Sequence, residues 1–156
     1  MDVKIWFDNP ITSFFRTREY YKNKDYRGGI EPIPDIVLFS PDIKGDFRRR
    51  NNENTFKCML MAIEVKASER ENSRLMPGEI CEDIYKLKAL RNEARRRRKN
   101  FVPTMVVLDT APKSKERMTS ESLELIFHEA KACNVGLFYL APEFKRIQEW
   151  DIQKLS

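Results

Sequence analysis

Phe56-Lys57-Cys58-Met59-Leu60-Met61-Ala62-Ile63-Glu64-Val65-Lys66 is the stretch on which the reading of this chain turns. Every position from Cys58 to Ile63 is apolar, so both faces of an alternating strand would be apolar there. This predicts a strand covered on both sides, at the centre of a sheet. The run then ends in two ionisable residues. Taking an ion out of water costs several kcal/mol even after relaxation, so charge at such a place calls for a reason. Side chains alternate along a strand, so Glu64 and Lys66 point to one face while Ile63 and Val65 point to the other.

Upstream, Ile36-Val37-Leu38-Phe39 is a compact apolar run bounded by Pro34 and Pro41, which predicts a second strand. Asp35 stands at its entrance. If this strand pairs with the one ending at Glu64, the two carboxylates converge. They would raise each other's pKa unless a cation lay between them, and an all-oxygen donor set favours a hard ion, Mg2+ or Mn2+. Plainer readings stand beside this one: an ion pair between Glu64 and Lys66 at a strand end, and a turn role for Asp35 after Pro34. The triplet acid-x-Lys carries no weight as letters, because Asp2-Val3-Lys4, Asp42-Ile43-Lys44, Glu129-Ala130-Lys131 and Glu143-Phe144-Lys145 match it too. Asp42 also follows a proline, but it comes after its strand and shares a polar loop with Asp46.

The rest of the chain alternates helix and strand. Val3 to Phe7 is a short β-like run, and Ile11 to Lys24 has aromatic residues near helical spacing. Asp42 to Asn54 reads as an exposed loop. Gly78 to Lys99 is helical, with Ile80, Ile84, Leu87, Leu90 and Ala94 as its apolar stripe, and Pro103 stops it. Met105 to Leu108 predicts a strand, Ser120 to Cys133 a helix capped by Ser120, and Val135 to Leu140 a last strand; the tail from Glu143 is amphipathic. The order helix, strand, strand, helix, strand, helix, strand indicates an α/β sandwich with a mixed sheet, one domain spanning residues 1–156.

Composition limits the function classes. The chain has 156 residues, 34% of them charged, with a formal charge of +5. A basic balance suits a polyanionic partner. Cys58, Cys81 and Cys133 are widely spaced, which indicates neither a zinc site nor a disulfide framework. His128 is the only histidine and rules out most histidine-based catalysis. No apolar run reaches the length of a membrane span and no signal-peptide pattern opens the chain, so a cytoplasmic setting without a membrane partner is expected. Arg48-Arg49-Arg50 and Arg95-Arg96-Arg97-Arg98-Lys99 are basic clusters. Each reads as a phosphate contact or as a solvated surface, and cations at a helix C-terminus have support from the dipole alone.

Asp35, Glu64 and Lys66, in this order of elements, resemble the PD-(D/E)xK nuclease superfamily, which includes restriction endonucleases and Holliday-junction resolvases. The resemblance implies a restriction-endonuclease-like three-layer sandwich, a central mixed β-sheet flanked by helices, and metal-dependent hydrolysis of DNA or RNA phosphodiesters. It implies that Asp35, Glu64 and the Val65 carbonyl hold the ion and that Lys66 supports the attacking water. It further implies an acid on the first helix, for which Glu19 is the position and Glu31 its competitor, and a polar residue on the helix after Lys66. Asp83 and Lys86 fit that last role better than Glu79. Lys86, Arg48, Arg49, Arg50, Arg95, Arg96, Arg97 and Arg98 would contact nucleic acid. The chain is near the minimum size for such a fold, which leaves open a fragment of a larger protein, a homodimer or larger assembly, or the need for a partner. A nuclease-fold module that binds nucleic acid or a protein without cutting is the alternative.

Overall fold

The computed structural model describes residues 34–43, 57–68 and 74–154. The expected elements at residues 3–7 and 11–24, the loop carrying Arg48, Arg49 and Arg50, and both Glu19 and Glu31 lie outside the described residues.

A mixed five-stranded sheet organises the chain, its strands lying side by side in sequence order. They are β1 (Ile36–Phe39), β2 (Met59–Ser68), β3 (Val102–Asp109), β4 (Gly136–Ala141) and β5 (Phe144–Gln148). β2, β3 and β4 run parallel, and β1 and β5 border them antiparallel. Helix α1 (Pro77–Arg96) links β2 to β3, and α2 (Ser120–Cys133) links β3 to β4. Successive crossovers of one hand progressing in one direction put both helices on the same face, and α1 packs against α2. The α/β architecture and mixed sheet therefore match the expectation. The described residues supply helices to one face only, where the expectation had helices on both.

The helix ends follow from local chemistry. Pro77 opens α1, where its missing N–H costs nothing. Thr119, rather than Ser120, caps α2, its side chain accepting from Ser122 N, and Asn134 closes that helix in the left-handed conformation. The stripe of Ile80, Ile84, Leu87, Leu90 and Ala94 is wholly buried, against Ala62, Met105, Val107 and Leu137 of the sheet and Ile126 and Ala130 of α2. Cys58, Cys81 and Cys133 are buried free thiols.

β2 departs from the prediction in two ways. It runs two residues past Lys66, to Ser68, because parallel pairing with β3 continues from Lys66↔Val107 to Ser68↔Asp109. Its residues are also not uniformly buried. The register slips between Leu38↔Met61 and Phe39↔Met59, leaving Leu60 as the extra residue of a bulge, 52% exposed. The face of the sheet away from the helices keeps Ile36, Leu38, Leu140 and Ile147 exposed.

Two further features were not predicted. The tail after Glu143 forms β5, paired in register from Ala141↔Phe144 to Leu137↔Gln148. Pro103 does not merely stop α1 but lies inside β3. It precedes the first pair with β4, Thr104↔Gly136, so no donor is needed there, and its carbonyl accepts Trp150 Nε1 at 2.6 Å. The Trp150 indole covers Gly136 so closely that a Cβ there would run into the ring, and Phe138 packs beside it at 6.0 Å between ring centroids. Gly136→Ala should therefore destabilise the protein by about 1–3 kcal/mol through overpacking, measured by chemical denaturation. Trp150→Leu combined with it should recover part of that loss.

Candidate metal and phosphodiester site

The candidate site is built on the helix-facing side of β2, at its C-terminal end. β1 and β2 pair Ile36 with Ile63, so one step further along the same antiparallel register Asp35 stands opposite Glu64. The Asp35 carboxylate accepts the backbone N–H of Val65 at 2.7 Å through Oδ2. It takes up a donor of β2 just where the β1 ladder runs out. Asp35 thus combines a sheet-end cap with proximity to Glu64, and the turn reading and the site reading describe the same residue.

Glu64 is 8% exposed. Burial, followed by the charge of Asp35 and of Asp83 and by a hydrogen bond with Asp35, pushes its pKa up to about 8, with Lys86 opposing. Two facing carboxyl groups with so little compensation favour holding a proton or a cation between them.

Lys66 projects from the same face two residues on and meets α1. Its Nζ lies 3.0 Å from Asp83 Oδ2, while Lys86 Nζ lies 2.7 Å from Asp83 Oδ1. Asp83, 5% exposed, is thus bracketed by two ammonium groups. Burial alone would lower the Lys66 pKa, but the hydrogen bond and charge of Asp83, then Glu79 and Glu64, hold it above its ordinary value. α1 runs back across the sheet after β2, which brings its second and third turns over this strand end. Of the three polar positions weighed on α1, Asp83 and Lys86 touch the site and Glu79 acts through charge alone.

Arg95, Arg96, Arg97 and Arg98 are not brought there. They lie at the other end of α1, and at 1.5 Å of rise per residue Arg98 is roughly 20 Å from Asp83. Arg97 pairs with Glu93 at 2.9 Å. Asp42 is likewise excluded, bound up with Ser40 beyond the far end of β1. His128 stands exposed on α2 beside Glu129.

Sequence reasoning passed over Asp109, which is fully buried at the end of β3 opposite Ser68, on the face that carries Glu64 and Lys66. Its Oδ2 accepts Met118 N and Tyr139 Oη, both at 2.7 Å. It thereby ties down the segment leading into α2, and its Oδ1 is buried without a hydrogen-bond partner. The signal was available: a carboxylate ending an apolar strand, the same pattern that singled out Glu64.

Among the described residues, no group of three or more His, Cys, Asp or Glu side chains is disposed to hold a metal ion. The donors considered for an ion are two carboxylates, Asp35 and Glu64, and the backbone carbonyl of Val65 on β2. None of the described helices is long and apolar enough to cross a membrane. No family model, curated protein or solved structure matches the chain.

A group whose pKa is raised from 4.5 to about 8 on folding binds more protons in the native state across that interval, so stability falls as pH rises through it. In chelator, Glu64→Gln should abolish this component. The variant should match the wild type near pH 4.5 and exceed it by on the order of 1–3 kcal/mol above pH 8, read from denaturation midpoints along a pH series.

Proposed function

We propose that the chain is a metal-dependent nuclease that hydrolyses phosphodiester bonds of DNA, with RNA as the second candidate substrate, on a restriction-endonuclease-like fold. The observation that carries this reading is the convergence of Asp35 and Glu64 in the C-terminal half of β2 with Lys66 on the same face, held by Asp83.

The donor set fits a hard cation. Mg2+ is commonly held by one or two carboxylates together with substrate phosphate and water rather than by an all-protein cage, so Asp35, Glu64 and the Val65 carbonyl suffice for Mg2+ or Mn2+. The bound ion would supply Lewis acidity at the phosphoryl group and lower the pKa of a coordinated water. The remaining work falls to the chain. Asp83 fixes the Lys66 ammonium at the strand end and keeps it protonated. Lys66 can then orient a water or offset charge that develops on the phosphate oxygens. Lys86, sharing the Asp83 carboxylate, places a second cation beside the first for the phosphate backbone. Lys66 and Lys86 therefore replace Arg95 to Arg98 as the cations nearest the scissile position.

A second reading, a nuclease-fold module that binds without cutting, draws on the absence, among the described residues, of three or more His, Cys, Asp or Glu side chains grouped to hold a metal ion. The two readings part on a direct assay. Single- and double-stranded DNA and RNA incubated with the protein in Mg2+ or Mn2+ should be cleaved, with no cleavage in chelator. Glu64→Gln and Lys66→Ala should each lower the rate by about 10²–10³-fold. Full activity in both variants would remove the site from the reaction. Salt-sensitive binding to the same substrates without cleavage in any metal would establish the second reading.

A further inference from the structure

At the end of the molecule opposite the carboxylates, the C-termini of α1 and α2 border an open cleft of about 770 Å³. Lys88, Arg91, Arg95, Arg98, Lys99 and Lys154 line it, and no aspartate or glutamate does. Lysine and arginine at helix C-termini neutralise the helix dipole, and part of this charge does so. Arg91 donates to Asn134 O and Cys133 O at 2.6 and 2.7 Å, Arg95 donates to Lys154 O, and Lys154 meets Asp151 at 3.3 Å.

Two observations exceed that role. Arg91 is 4% exposed, and its Nε is buried with no hydrogen-bond partner. Burial, followed by the charge of Arg95, lowers its pKa to about 10, so the guanidinium is held where a further anion would relieve it. Arg98 and Lys99 form no ion pair with any described residue. Arg98 itself takes the left-handed conformation, φ 57°, as part of the stop that ends α1, where Lys99 N–H donates to Ala94 O at 2.9 Å.

We infer that this cleft is a phosphate-binding site, separate from the carboxylate pair, for a ligand carrying at least two negative charges in a phosphate group. A free pyrophosphate or nucleotide and the terminal phosphate of a nucleic-acid strand share this chemistry. Arg98 and Lys99 provide the unpaired cations at the mouth, and Arg91 provides the buried donor. The inference does not rest on the nuclease reading.

Isothermal titration with inorganic pyrophosphate in chelator tests it. The wild type should bind one equivalent saturably, in preference to sulfate. Arg98→Gly removes the guanidinium and puts the residue most favoured at a left-handed helix end in its place, so its melting temperature should hold or rise while affinity falls about tenfold or more, as for loss of a charge-assisted hydrogen bond. Lys99→Ala should weaken binding too, and covers the case of an Arg98→Gly chain that does not fold. Glu64→Gln should bind pyrophosphate as the wild type does, which separates this site from the hydrolytic one whatever the nuclease assay returns. A 5′-phosphorylated oligonucleotide competing better than its 5′-hydroxyl counterpart would assign the site to strand ends, and equal competition would assign it to free phosphates. Absence of saturable binding, or affinity unchanged in both cleft variants, would overturn the inference.

Discussion

A buried carboxylate at a helix–sheet contact governs this molecule. Asp83 has almost no access to solvent, yet it lies where α1 crosses the end of β2, and it is tolerable there because Lys66 and Lys86 reach it from two sides. The ion cluster ties the second and third turns of α1 to the strand that carries Glu64. It also fixes where the Lys66 ammonium stands relative to Glu64. Packing and chemistry therefore meet in one contact. Unlike a surface ion pair, whose net contribution is small, this one is partly desolvated, and removing a single partner would leave charge stranded.

Around that contact the sheet sorts its polar groups by end. The C-terminal ends of β2 and β3 gather the acids Glu64 and Asp109 with the cations of α1, and Asp35 is drawn in by the antiparallel register of β1. The N-terminal ends of β3 and β4 face the helix C-termini, and there the charge is almost wholly positive. α1 thus separates two electrostatic environments along its length, one built from mutually compensating acids and bases, the other richer in cations, of which Arg91 and Arg95 meet backbone carbonyls.

Much of this was legible in the sequence, for reasons that can be named. Ile80, Ile84, Leu87, Leu90 and Ala94 recur at helical spacing, and a stripe of that width has to be buried. Glu64 and Lys66 share a face because strand alternation is geometric and insensitive to context. What failed was the inference from apolar letters to coverage. Leu60 is as hydrophobic as Met59, but a bulge turns it outward, and hydrophobicity does not say which neighbour will arrive. β5 was missed because Phe144-Lys145-Arg146-Ile147-Gln148 mixes charge into a short strand that draws its stability from β4 and from Arg146 stacking on Phe127 at 4.2 Å. The Asp83 bracket was visible only as spacing on a helix, since its partner Lys66 is distant in sequence. The left-handed helix stop at Arg98 was not legible because no glycine or asparagine marks it.

The borders of the sheet have a consequence for how copies of this chain can meet. An unprotected border strand offers a ladder of free backbone groups to any other strand. Here β1 is short and interrupted by a register slip, and β5 carries Lys145 and Arg146 along its length. Both borders are poor templates for joining sheet to sheet. Among the described residues, the exposed apolar side chains Ile36, Leu38 and Ile147 lie on a broad surface of the sheet, where open-ended polymerisation through strand pairing is not the geometry offered.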